Sequence, residues 1–440
     1  MMPSLLHQLN SLPTTGMITY AGEHCSNEQR SVADLIKKAA EIRQQYPQFC
    51  QHDIAIGYTN LPEFIAALIA FDGWCSAIYL CPPNVPMPQQ ELNKWPLDSD
   101  TTTSSSNKKT LLSTVLNVEQ TTWHLATSGT TGEPRWFSHS FLSLTSSTKH
   151  SQKLQTLCWA LLYQPFRFAG LQVVLQALLS GADLVDVADY EPLSQMAFLK
   201  HADVTALSAT PSLWRQLLMT GQLSELTLIH ITLGGEIADQ SLLDNLKRLF
   251  PNANVRHIYA STEAGVGFIV SDGHAGFPTK WLKDQTLKVA LQVSDEQHLL
   301  IKPQHHVCQS LALQTNALGY VDSLDKVQVI DDRVFFLGRA TGTINVGGNK
   351  VHPEKIEQVL LQCTDISQAK VYAKKSALLG ELVVADVVII DAEVEQEVKQ
   401  QVLKMCKNKL QRFEIPTKIN IVKNIDNDPS GKLNRKQQHD

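Results

Sequence analysis

The eight cysteines of this chain form no C-x-x-C pair and lie scattered from Cys25 to Cys406. That spacing excludes a disulfide frame or a zinc ribbon and predicts reduced, mostly buried thiols in a cytoplasmic enzyme. Charge is also scarce. Only 18% of residues are charged, the net charge is −5 and the pI is near 6.3, so nothing electrostatic speaks for nucleic acid or an anionic membrane as a partner. Long apolar runs are absent: FIAALIAF (64–71) and VVADVVII (383–390) are far too short to span a bilayer. The start MMPSLLHQLN has no basic segment leading into a sustained apolar one, so no signal peptide is expected. No G-x-x-x-x-G-K-[ST] occurs, which excludes a Walker A loop. No G-x-G-x-x-G follows a predicted strand, which disfavours an NAD-dependent dehydrogenase.

What is present describes a globular protein of two to three domains, with 440 residues and 43% hydrophobic content. Val32, Leu35, Ile36, Ala39 and Ala40 make a helical stripe with Ser26 as its expected N-cap. DIAIGYT (53–59), a helix opened by Pro62, and SAIYLCPP (76–83) read as a right-handed strand–helix–strand unit. The polar stretch 98–110 reads as an exposed loop. Further on, short apolar strands (156–163, 204–210, 226–235, 254–260) alternate with helices, one of them closed by Gly181. The expectation is an α/β fold whose sheet is covered on both faces. From about 285 the pattern turns β-rich, and the last hundred residues read as a small separate α+β unit. The expected domains are 1–338 and 339–440.

The stretch with the clearest chemistry is TSGTTGEPRW (127–136). Thr127, Ser128, Gly129, Thr130, Thr131 and Gly132 combine hydroxyls with residues that let the backbone approach a ligand. Successive N–H groups in such a turn form an anion nest, and Arg135 adds a planar cationic fork. This reads as a nucleotide-phosphate loop.

The loop resembles the phosphate-binding motif of the adenylate-forming superfamily, which includes acyl-CoA synthetases, nonribosomal peptide adenylation domains and firefly luciferase. Arg135 stands where that motif has Lys, and Trp136 where it has Gly. Five further segments follow in the family's order. Gly234-Gly235-Glu236 matches its G-G-E, whose backbone lines the adenine pocket. YASTEAG (259–265) resembles Y-G-x-T-E, with Ala260 replacing Gly. The resemblance implies that Tyr259 stacks on adenine, Thr262 touches phosphate and Glu263 helps hold Mg²⁺. A carboxylate and a hydroxyl just past a strand end suit that task, since open α/β sheets bind ligands there and Mg²⁺ takes hard oxygen ligands.

GYVDSLD (319–325) resembles the segment whose acid binds the ribose hydroxyls. Gly338-Arg339, fourteen residues on, assigns that role to Asp325. VDSL also looks like a phosphopantetheine attachment site at Ser323, a reading disfavoured because the stretch lies among strands. GRATGTINVGGNKVHPEKIE (338–357) resembles the family's hinge, with Thr341 and Asn345 at altered positions and Lys350 nearby for an acceptor's phosphates. PSGKLNRK (429–436) resembles the C-terminal motif whose lysine, here Lys432, bridges carboxylate and α-phosphate. PFRFAG (165–170) places Arg167 where the family commonly has a His or aromatic residue of the acyl pocket, so Arg167 is a candidate for meeting an anionic substrate group.

The resemblance therefore implies an ATP- and Mg²⁺-dependent acid–thiol ligase. Its partners would be a carboxylic acid and either coenzyme A or a separate carrier protein, and its compactness is similar to that of small aryl or acyl acid ligases. The altered positions leave a degenerate nucleotide-binding homologue as the alternative.

Overall fold

A computed structural model describes residues 4–12, 15–21, 27–83, 85, 92–96, 120–127, 135–262, 265–284, 287, 289–303, 315–376, 379–391, 395–428 and 431–434. The architecture is mixed α/β, with a large N-terminal part and a small C-terminal one. Among the described residues, one sheet of eight strands runs in the order Gly265–Val270, Asn254–Ser261, His230–Gly234, Ala206–Ala209, Cys158–Leu161, Asp183–Asp186, Met17–Ala21, Asn27–Ser31. Its interior pairings are parallel and its two edges antiparallel. A second sheet orders Asn93–Trp95, Asp53–Ile56, Ala77–Leu80, Thr122–Ala126 and Trp136–Ser140, again parallel except at the last strand.

Burial explains this choice of elements. Every residue of helix Leu61–Phe71 except Glu63 is buried, because the helix is apolar all round. It packs on the second sheet with Trp123, itself fully enclosed. Helix Phe168–Ser180 runs between the sheets and ends at Gly181 with φ +71, the left-handed stop that only glycine takes freely.

The helix expected to start at Ser26 starts a turn later. Asn27–Ser31 forms an edge strand antiparallel to Met17–Ala21, and Ser31 caps Val32–Gln45 through a capping box with Asp34. The pairing engages the whole of Asn27–Ser31, backbone that a longer helix would have claimed. Stretch 98–110 lies outside the described residues.

The β-rich segment is an antiparallel sheet of Phe277–Pro278, Arg333–Arg339, Val321–Ile330, His298–Pro303 and Val289–Val293. Ser323 sits inside one of these strands, its hydroxyl donating to the Leu299 carbonyl at 2.7 Å. It is a sheet residue, not the tip of a helical carrier module. Beyond Arg339 a short turn leads to the last sheet, which joins Asn349–Val351, Ile344–Val346, Gly380–Ile389, Ile366–Ser376 and Lys418–Ile421 around its own core with helices Pro353–Leu360 and Glu395–Lys409. No helix of the described residues is long and apolar enough to cross a membrane.

Candidate active site

A cleft of about 1680 Å³ opens where the strand ends of the large sheet, the antiparallel sheet and the C-terminal unit meet. Most of the described motif residues line it: Thr127, Arg135, Gly234, Gly235, Glu236, Tyr259, Ala260, Thr262, Asp325, Arg339 and Lys432. Thr127 follows strand Thr122–Ala126 and Arg135 precedes its partner Trp136–Ser140, and the Thr127 N–H donates to the Arg135 carbonyl at 2.9 Å. Ser128, Gly129, Thr130, Thr131 and Gly132 lie outside the described residues, as does Glu263.

Thr262 is held from the second sheet. The Nε2 of buried His139 lies 2.8 Å from the Thr262 carbonyl oxygen, so that nitrogen carries the proton and fixes the turn after strand Asn254–Ser261. Sequence reading missed His139, because its partner is 123 residues away.

Asp325 stands opposite Arg339 in the register of two antiparallel strands, with Nε 3.4 Å from Oδ1. Its other oxygen accepts from the Tyr259 hydroxyl. Burial first, and then the Asp325 charge, raises the Tyr259 pKa well above that of an ordinary phenol, so the hydroxyl keeps its proton. The Tyr259 ring lies parallel to Phe268 and to Phe336, with centroids 5.1 and 5.2 Å away. In this state Tyr259 spends its aromatic surface on two protein rings. Stacking on adenine, as the resemblance implies, requires one of them to give way.

The G-G-E turn does more than line the pocket. Gly235 has φ +81, and a Cβ there would meet Lys432 Cε at 3.1 Å. The Lys432 side chain therefore packs on bare backbone. The Glu236 carboxylate joins two domains: Oε2 accepts from the Ser212 N–H at 2.9 Å, and Oε1 accepts from the Leu433 N–H at 2.7 Å. The Thr210 hydroxyl donates to the Gly431 carbonyl, and Arg215 reaches the Ser367 carbonyl at 3.5 Å. Within the C-terminal segment, the Asp428 N–H bonds the Lys432 carbonyl at 2.7 Å, and the Lys432 N–H donates to Asp428 Oδ1 at 3.2 Å. These bonds hold Lys432, which lines the cleft.

Among the described residues no three His, Cys, Asp or Glu side chains converge on a metal position. The fit for a nucleotide is better: a cleft floored by Gly235 backbone, with one carboxylate near aromatic rings and cations on two sides.

Comparison with known proteins agrees with this geometry. The family model "AMP-binding enzyme" matches residues 86–303, and "AMP-binding enzyme C-terminal domain" matches 355–432. The chain belongs to the AMP-binding, adenylate-forming enzymes. Its chemistry is that of an AMP-forming acid–thiol ligase: ATP-dependent activation of a carboxylic acid as acyl-AMP, then acyl transfer to a thiol.

Among relatives, a Staphylococcus epidermidis protein that bears the name putative long chain fatty acid-CoA ligase VraA is 25% identical over 320 residues, 71% of this chain and 69% of its own length. The D-alanine–D-alanyl carrier protein ligase of Staphylococcus haemolyticus is 24% identical over 376 residues, 76% of this chain and 73% of its own. The solved structure of o-succinylbenzoate CoA synthetase from Bacillus subtilis, in complex with its acyl-adenylate intermediate, covers 100% of this chain and 98% of its own at 18% identity, with a TM-score of 0.70.

Proposed function

We propose that this chain performs both half-reactions at one cleft, with its C-terminal unit docked for the first and swung away for the second. In the first, a carboxylate oxygen of the acid attacks the α-phosphorus of ATP and the bond to pyrophosphate breaks. Lys432 stabilises the charge that develops between carboxylate and α-phosphate, and Arg135 with the loop 127–132 holds the leaving pyrophosphate. Asp325 takes the ribose hydroxyls, Thr262 touches phosphate, and the Gly234–Glu236 turn with Ala260 lines the adenine slot that Tyr259 closes. Glu263 would help hold Mg²⁺, which would supply charge neutralisation. The observation that carries this reading is the seating of Lys432 on the Gly235 turn, which joins the last motif of the chain to the middle one.

For the second half-reaction, the 340–343 turn between Arg339 and Ile344 absorbs a rotation that withdraws Lys432 and admits a thiol. The thiol belongs to coenzyme A or to a separate carrier protein, and the enzyme works in the cytoplasm. The test is AMP release with ATP across a panel of aryl, fatty and amino acids, with CoA and a phosphopantetheinylated carrier as alternative acceptors. Acid-dependent AMP release that yields a thioester on one acceptor supports the reading. AMP formation with no dependence on any acid contradicts it.

A further inference from the structure

The cleft holds two buried donors without partners. Arg167 lines it from the start of helix Phe168–Ser180, where no side chain caps the helix. Its Nε is enclosed and has no hydrogen-bond partner, and among the described residues its Nη1 meets the Ala126 carbonyl at 3.5 Å. Among the described residues no carboxylate lies within ion-pair distance of it. Asp428 on the C-terminal turn is the acid whose charge acts on it, and that carboxylate already takes the Lys432 N–H. Burial lowers the guanidinium's pKa and the Asp428 charge raises it.

A second donor points the same way. Trp159 is 8% exposed, lines the same cleft, and its Nε1 has no partner. Buried donors left unpaired are costly, and a buried cation without a partner more so. An acceptor-rich anion beside either donor would remove its deficit. Two polar side chains of the same lining are already engaged: Gln172 donates to the Leu144 carbonyl at 2.8 Å, and Gln176 donates to the Lys149 carbonyl at 2.9 Å.

From these two unpaired donors we propose that the acid substrate carries a second anionic group, a carboxylate in its tail, and that Arg167 is the residue that selects it. The proposal rests on the ligase reading above. Arg167 is a poor holder for the reacting carboxylate, because a bidentate charge-assisted pair stabilises the negative charge on both oxygens and lowers the nucleophilicity of each. Lys432 as a single point charge leaves one oxygen free.

The test compares ATP–pyrophosphate exchange for matched pairs of acids, each a dicarboxylate and its ω-amide or ω-methyl counterpart. Wild type is set beside Arg167→Met and Arg167→Lys. The wild type is expected to favour a dicarboxylate over its partner, and Arg167→Met to lose roughly 10- to 100-fold in kcat/KM for the dicarboxylate, the worth of hydrogen bonds to a charged group. The monoacid partner is expected to change by less than about threefold, and Arg167→Lys to recover part of the preference, as a charge without the fork. Equal losses for both members of every pair would place Arg167 on the reacting carboxylate and overturn the proposal. So would a wild-type preference for the uncharged partner.

Calorimetric titration of the same dicarboxylates into both proteins in the presence of AMP separates the two readings. Binding that Arg167→Met abolishes, without any exchange activity, would sustain the anion site and sink the ligase reading. Exchange without a dicarboxylate preference would do the reverse. Unchanged ATP binding by Arg167→Met certifies its fold.

Discussion

Glu236→Gln should separate the two half-reactions. The Glu236 carboxylate accepts two backbone N–H groups, from Ser212 at 2.9 Å and from Leu433 at 2.7 Å, and only the second belongs to the C-terminal unit. Burial raises its pKa, while those donors and Lys432 lower it. Glutamine keeps the shape but offers one acceptor and one donor to two N–H groups. Ser212 lies in the first turn of helix Pro211–Met219 and cannot leave, so the misfit falls on Leu433, which can. Losing a hydrogen bond to a charged acceptor costs about 1.5–3 kcal/mol. At roughly 1.4 kcal/mol per tenfold, the docked population falls about 10- to 100-fold relative to the open one.

Two assays read this. Hydrogen exchange at the Leu433 amide should accelerate by that factor, and ATP–pyrophosphate exchange should slow. Thioester formation from supplied acyl-AMP should hold or rise. Equal loss in both half-reactions, or unchanged protection of Leu433, would refute the latch.

Gly235→Ala should depress adenylation at least roughly tenfold, because a Cβ at φ +81 is strained and would press on Lys432 Cε at 3.1 Å; exchange assays and a melting curve separate the local effect from a folding one. Asp325→Ala should weaken ATP binding by roughly 10- to 100-fold, since it removes the ribose acceptor and the carboxylate that the Tyr259 hydroxyl donates to; calorimetry with ATP checks this. Asp186→Asn should stabilise the protein at neutral pH. Burial is the main cause that holds the Asp186 carboxyl at about 6 against an ordinary 3.8, and the nearby Asp189 charge adds to it. The folded state thus binds more protons than the unfolded one between those values, and the wild type loses stability as pH rises through them. The difference amounts to at most about 3 kcal/mol at pH 7 and vanishes near pH 4, at about 1.36 kcal/mol per pKa unit. The asparagine can still accept from the Ala188 N–H and pair with the Tyr58 hydroxyl, and denaturant midpoints at both pH values decide it.

What was legible in the sequence was local chemistry with strong spacing. The strand–helix–strand unit at 53–83 and Gly181 as a helix stop both depend on residues close in sequence. The Asp325 choice rests on the distance to Arg339, and the strands place those two opposite each other. The Ser26 cap failed because edge-strand pairing, a tertiary event, took the residues first. The contacts that organise the cleft were illegible for the same reason. Glu236 meets Leu433 across 197 residues, and His139 meets Thr262 across 123. No periodicity announces a carboxylate shared between domains. The aromatic neighbours of Tyr259 were equally hidden, since Phe268 and Phe336 come from two different sheets.

The most direct test of the account is Lys432→Ala assayed on each half-reaction alone. ATP–pyrophosphate exchange should fall by about 100-fold or more, the order seen when one charge-stabilising donor is removed. Consumption of supplied acyl-AMP by the thiol should stay near the wild-type rate. Exchange that survives the substitution would contradict it, because the lysine seated on the Gly235 turn would then be a bystander.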